Sequence, residues 1–184
     1  MSGGLIVART SVCKKGLLAI LGAAVLGLMP AFVADAANPE SVTVDMTFLD
    51  PVTITENNPL QFGLLDVNMS NNNKVIVAPD DSVTDSQNNV VGGTQAAADL
   101  TVTAAASQSI TILVDNVSSA TGYVLEIWKC NYNSAGSDSN CDGGGYSETS
   151  AASATLLIGA TLKGNGNAVA GADNSTFDVT VTYQ

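Results

Sequence analysis

The last fourteen residues, Gly171-Ala-Asp-Asn-Ser-Thr-Phe-Asp-Val-Thr-Val-Thr-Tyr-Gln184, decide the fold. From Phe177 onward apolar and polar residues alternate without a break: Phe177, Val179, Val181 and Tyr183 against Asp178, Thr180, Thr182 and Gln184. Successive side chains of a strand point to opposite faces, so the stretch predicts one strand with a buried face and a wet face. Valine, threonine, tyrosine and phenylalanine also fit a pleated, half-buried surface better than a helix.

The same alternation recurs upstream. Residues 154–162 set Leu156, Ile158, Ala160 and Leu162 on one face, and Lys163-Gly-Asn-Gly-Asn167 follows as a turn whose Asn-Gly suits positive φ. Tyr123, Leu125 and Ile127 alternate with Val124, Glu126 and Trp128; Ile110, Ile112 and Val114 share a face of residues 109–114. Shorter apolar runs stand at residues 100–106, 74–78, 60–65 and 52–55, and Val42, Val44, Met46 and Phe48 alternate with polar residues. Residues 79–95 are polar, with Pro, Asp, Asn and Gly-Gly, and predict a surface loop or a loosely paired hairpin. No stretch has the period of an amphipathic helix. Eight to ten short strands at this spacing imply an all-β, Ig-like antiparallel sandwich over residues 51–184.

Residues 1–36 have the form of a secretory signal peptide. Arg9, Lys14 and Lys15 precede the apolar run GLLAILGAAVLGLM, which is short for a bilayer span, and Ala34-Asp35-Ala36 supplies small residues for cleavage. The expected mature start is Ala37; an uncleaved anchor is the alternative. After cleavage no membrane segment is expected, and Cys13 departs with the leader. Cys130 and Cys141 then remain, an even count in an oxidising compartment, which favours one structural disulfide.

Composition narrows the function. Of 184 residues none is histidine, which removes the usual general base and the commonest metal ligand. No nucleophile–base pair can be assembled from the isolated lysines and abundant hydroxyls, so an enzyme is not expected. The whole chain has a net charge of −11. Without the leader's three basic residues and Asp35, three lysines face sixteen carboxylates, a net charge of about −13. Such a surface repels phosphate backbones, and no nucleic-acid partner is expected.

Three features carry a family resemblance. Residues 42–66 read VTVDMTF, PVTIT and LQFGLLD, with a Leu-x-Phe-Gly element at Leu60, Phe62 and Gly63. Residues 160–183 read as a Gly-rich hairpin and a Phe-x-Val-x-Val-x-Tyr strand, and Gly171 stands fourteenth from the end with Tyr183 penultimate. This layout resembles a family of secreted bacterial proteins known chiefly as a domain of unknown function. It is also similar to pilins of the archaic chaperone–usher and spore-coat-U type. Those relatives often carry a cysteine near the first strand, whereas the pair here lies at Cys130 and Cys141.

The resemblance implies a structural subunit of an extracellular bacterial surface filament, exported through the periplasm. Its implied partners are identical copies in a homopolymer, with a periplasmic chaperone and an outer-membrane usher. It makes residues 37–50 an N-terminal extension in which Val42, Val44, Met46 and Phe48 form a donor strand. That strand completes a neighbour's sandwich through backbone hydrogen bonds and alternate side-chain pockets. The acceptor side is then the C-terminal motif: Gly171, Phe177, Val179, Val181 and Tyr183. An ordinary first strand, paired within its own domain, is the competing expectation. A monomeric secreted adhesin or carbohydrate-binding module is the alternative function, with Tyr123, Trp128, Tyr132 and Tyr146 as a sugar platform.

Weaker motifs add little. Asp138-Ser-Asn-Cys-Asp142-Gly matches half of a calcium loop, then fails because position twelve is Thr149. A turn without a ligand is the simpler expectation; no cofactor and no metal are implied. Asn68, Asn116 and Asn174 open glycosylation sequons, a tripeptide common by chance.

Overall fold

The computed structural model describes residues 41–118, 120–134, 138–172 and 174–184. The chain divides into two compact units, Met1–Asp45 and Met46–Gln184. The signal-peptide expectation for residues 1–36 lies outside the described residues. Of the first unit, residues 41–45 are exposed and form no strand.

The described part of the second unit is built from β-strands, without a helix: β1 Thr53–Asn58, β2 Gln61–Leu65, β3 Lys74–Val77, β4 Val83–Asp85, β5 Val90–Ala96, β6 Ala98–Thr103, β7 Ser109–Asp115, β8 Tyr123–Tyr132, β9 Ser139–Asn140, β10 Tyr146–Thr149, β11 Ser153–Gly164 and β12 Asp178–Tyr183. All pairings are antiparallel. The long β11 organises the larger sheet. Along one edge it pairs first with β6 and then with β3; along the other it pairs with β8. β1, β4 and β9 extend that sheet, β10-β7-β12 form a second, and β2-β5 a third.

The core lies between the first two sheets. Leu100 and Val102 of β6, Leu156 and Ile158 of β11, and Cys130 of β8 pack with Ile110, Ile112 and Val114 of β7 and Val181 of β12. Every one alternates with an outward residue, as a two-layer sandwich requires. Full burial of each large aliphatic side chain contributes roughly 1.5–3 kcal/mol. A smaller cluster, Met69, Val75 and Leu162, continues under β2 and β5, with Phe62 and Leu65 packed on it.

The expected disulfide is present. Cys130 and Cys141 are bonded with their Cα atoms 5.8 Å apart, and both are fully buried. The carbonyl of Cys141 accepts from the Val114 amide at 2.7 Å, so the cross-link ties β8 of one sheet to β7 of the other.

Four expectations need correction. Residues 42–48 alternate in sequence but form no strand within the described chain. Residues 79–95 are more ordered than a loop: β4 pairs β3, and β5 pairs β2. The face of β8 changes midway. Tyr123 and Leu125 point inward, but the pairing with β11 slips between Gly159 and Thr161. Ile127 takes a positive φ of 54° and is exposed, while Trp128 turns into the core. One extra residue in a bulge reverses every side chain after it. Finally, residues 160–183 are not a hairpin, since β11 and β12 belong to different sheets.

Candidate functional site

β12 is an edge strand. Among the described residues it pairs only with β7, in the register Asp178↔Asp115 to Tyr183↔Ile110. The next amide along, that of Gln184, donates to the Ser109 carbonyl at 3.0 Å. In an antiparallel ladder, hydrogen-bonded and non-bonded positions alternate. Gln184, Thr182, Thr180 and Asp178 therefore aim their backbone groups at β7. Phe177, Val179, Val181 and Tyr183 aim theirs at the open edge. Their side chains point into the sandwich, as the sequence predicts: Val181 is buried, whereas Phe177, Val179 and Tyr183 are only partly covered. One set of residues thus combines unfilled backbone groups with incompletely covered apolar side chains.

An open groove of about 770 Å³ begins at Phe177. Phe62, Leu64 and Leu65 of β2 line it as one wall, with Leu125 and the buried Leu162 beneath them, and the loop carrying Gly171 lines it as well. Gly171 has a φ of 148°, in the region that favours glycine, and is exposed. Phe177 links the groove to the main core, with its ring centroid 4.6 Å from that of Trp128. Among the described residues β2 pairs only with β5, so the groove runs beside a second strand edge without a partner there. The Leu-x-Phe-Gly element explains this wall. Gly63 has a φ of 78° at a register shift, and a Cβ there would stand 2.6 Å from the Gly92 carbonyl oxygen. Phe62 belongs to the quoted motif, but that β2 forms a wall is not visible until the chain is folded.

Tyr183 has a role that alternation does not reveal. Its hydroxyl accepts from the Ala105 amide at 2.6 Å and donates to the Asp50 carbonyl at 2.7 Å. The phenol therefore pins the start of the sandwich beside the end of β12. The groove begins at the other end of that strand, at Phe177. Just before the pinned point, Val42, Val44, Met46 and Phe48 are 84, 74, 69 and 88% exposed. These four apolar side chains are left uncovered among the described residues.

The aromatic platform does not form. Trp128 is 3% exposed and Tyr132 is buried, both within the core, with the Tyr132 hydroxyl accepting from the Ala151 amide at 3.2 Å. Tyr123 lines the groove, its hydroxyl 3.1 Å from that of Ser175. Tyr146 packs against the core, and burial, followed by the charge of Glu148, pushes its phenol well above the usual value. In the calcium-like stretch, Asp138 accepts from the Asn131 side chain and Asp142 from the Trp128 amide. Among the described residues, no three His, Cys, Asp or Glu side chains are grouped to hold a metal.

Neither a curated protein nor a solved structure matches the chain. A family model described as "Domain of unknown function (DUF4402)" matches residues 52–183. That span takes in every strand from β1 to β12 together with both walls of the groove, and the chain belongs to this family.

Proposed function

We propose that this protein is a pilin-like structural subunit of a secreted surface filament, an Ig-like sandwich completed in trans. Residues 42–48 of one copy lie along β12 of the next, with their apolar side chains in the groove that begins at Phe177. The observation that carries this is the pairing of deficits within one chain. Among the described residues, the last strand has an open edge over partly covered Phe177, Val179 and Tyr183, and an alternating apolar segment has no strand partner. Strand addition satisfies both at once, through main-chain bonds for affinity and alternate pockets for specificity.

The donor segment leaves the sandwich at the Tyr183 end of β12, while the groove opens at the Phe177 end. Donor and acceptor are different surfaces, so each join leaves a free groove at one end and a free strand at the other. Contacts of this head-to-tail kind propagate into a fibre. Each donor side chain, once buried, contributes roughly 1.5–3 kcal/mol. A periplasmic chaperone and an outer-membrane usher fit such a subunit, because an exposed edge needs covering before assembly.

Deletion of residues 37–48 tests the proposal. The truncated protein is expected to be exported but absent from filaments sheared off the cell and viewed by electron microscopy. A synthetic peptide of residues 37–48 should bind it and raise its melting temperature. Normal filaments from the truncated protein would refute the proposal.

A further inference from the structure

The turn that follows β11 brings together the parts of a self-modification site. Asn165 is the only asparagine of the chain that is followed by glycine. β11 ends at Gly164, so Asn165-Gly166 lies outside the strand ladder, with Gly166 and Asn167 exposed and Asn165 half-buried. The main-chain amide of Asn165 donates to the Gly122 carbonyl at 3.0 Å, and its side-chain Oδ1 accepts from the Asn167 amide at 3.1 Å. That second bond keeps the side-chain amide folded over the Gly166 peptide and polarises its carbonyl. Among the described residues the Gly166 amide has no hydrogen-bond partner. With no Cβ on residue 166, nothing screens that nitrogen from the Asn165 side chain.

We infer that Asn165 converts itself, without an enzyme, to aspartate and isoaspartate. The Gly166 nitrogen attacks Cγ of Asn165, and the new N–C bond closes a five-membered succinimide. The Cγ–Nδ2 bond breaks, and ammonia leaves with the proton that the Gly166 nitrogen gives up. Water then opens the ring. Addition at Cγ gives aspartate; addition at the main-chain carbonyl of residue 165 gives isoaspartate, which lengthens the backbone by one carbon. During the attack negative charge gathers on Oδ1, where the Asn167 amide already donates. Both reacting groups belong to one turn, so no encounter is needed.

Other asparagines lack this combination. Asn68, Asn89, Asn116 and Asn131 are followed by Met, Val, Val and Tyr, whose side chains crowd the attack, and each is held by a side-chain hydrogen bond. Asp142-Gly143 offers a carboxylate, a poorer electrophile than an amide. The new carboxylate at residue 165 arises where the loop carrying Ala168 and Gly171 to the groove begins. The reaction needs no donor strand and is independent of the filament proposal.

The test incubates the purified full chain at mildly alkaline pH. Trypsin cuts after Lys163, and no later lysine or arginine follows, so residues 164–184 are recovered as one peptide. Mass spectrometry should find hydroxyl in place of amino at Asn165, and isoaspartyl methyltransferase should label that peptide. Conversion at Asn165 should be at least roughly tenfold faster than at Asn167 or Asn174. It should speed up with pH, because the attacking nitrogen must lose its proton. The folded chain should keep at least about a tenth of the rate measured in urea, because the turn lies outside the ladder. Asn165→Gln, which would need a six-membered ring, should abolish the acidic form while leaving the circular dichroism and melting temperature unchanged. Conversion in urea but not in the folded chain, equal rates at the three asparagines, or the same acidic form from Asn165→Gln would each overturn the inference.

Discussion

Replacement of Tyr183 by phenylalanine keeps the ring in the core and removes only the hydroxyl. That hydroxyl makes two backbone contacts, to the Ala105 amide at 2.6 Å and the Asp50 carbonyl at 2.7 Å. The Ala105 amide is partly buried, so its loss approaches the cost of an unsatisfied donor, about 1–2 kcal/mol. The Asp50 carbonyl is exposed and turns to water, which reduces its share to about 0.5 kcal/mol. The sum is near 2 kcal/mol, or a fall in melting temperature of roughly 5–10 °C for a domain of this size. Urea titrations of both proteins should show a lower midpoint with an unchanged slope, since the surface exposed on unfolding is the same. Amide exchange should accelerate at Ala105. A loss below about 0.5 kcal/mol, or unchanged exchange at Ala105, would refute the role of the phenol as a pin.

Three further outcomes are expected. Replacing both Cys130 and Cys141 by alanine should cost about 3 kcal/mol by loop-closure entropy for a separation of eleven residues, measured by chemical denaturation under non-reducing conditions. Gly63→Ala should destabilise by more than about 1 kcal/mol, because it adds strain at positive φ to a clash with the Gly92 carbonyl; thermal melts check it. The hydrogen bond from Lys74 holds the Glu126 carboxyl below its ordinary value; partial burial opposes it, and the charges of Lys74 and Lys163 assist. The stability this contributes is present in full above the ordinary glutamate range and is lost as pH falls through the lowered value. Exposure limits it to under about 1 kcal/mol, and Glu126→Gln should remove that part of the acid dependence in urea titrations at a series of pH values.

Much of the fold is legible in the chain because a strand's side-chain period is local. The inward sets of β7, β11 and β12 can be read directly, and so can the disulfide, from the two cysteines beyond residue 36. Pairing is not local. Nothing in residues 160–183 says that β11 and β12 diverge into different sheets. The slip opposite Gly159, which turns Trp128 inward and Ile127 outward, is a property of two strands together. Alternation at Val42–Val44–Met46–Phe48 likewise specifies a strand-forming face without a partner, and the described chain contains none for it. Of the groove, the Phe177 edge and Phe62 are readable as motif residues. Its base, at Leu125 and Leu162, emerges only when β8 and β11 are brought beside β2.

Amide hydrogen exchange at Phe177, Val179, Val181 and Tyr183 tests the central claim most directly, because these four residues aim their N–H groups at the open edge of β12. Exchange should be fast in the unassembled chain and become strongly protected in filaments, or when a peptide of residues 37–48 is added, while Thr180 and Thr182, already bonded to β7, change little. Equal exchange at these four amides in free and assembled protein would contradict strand addition at β12.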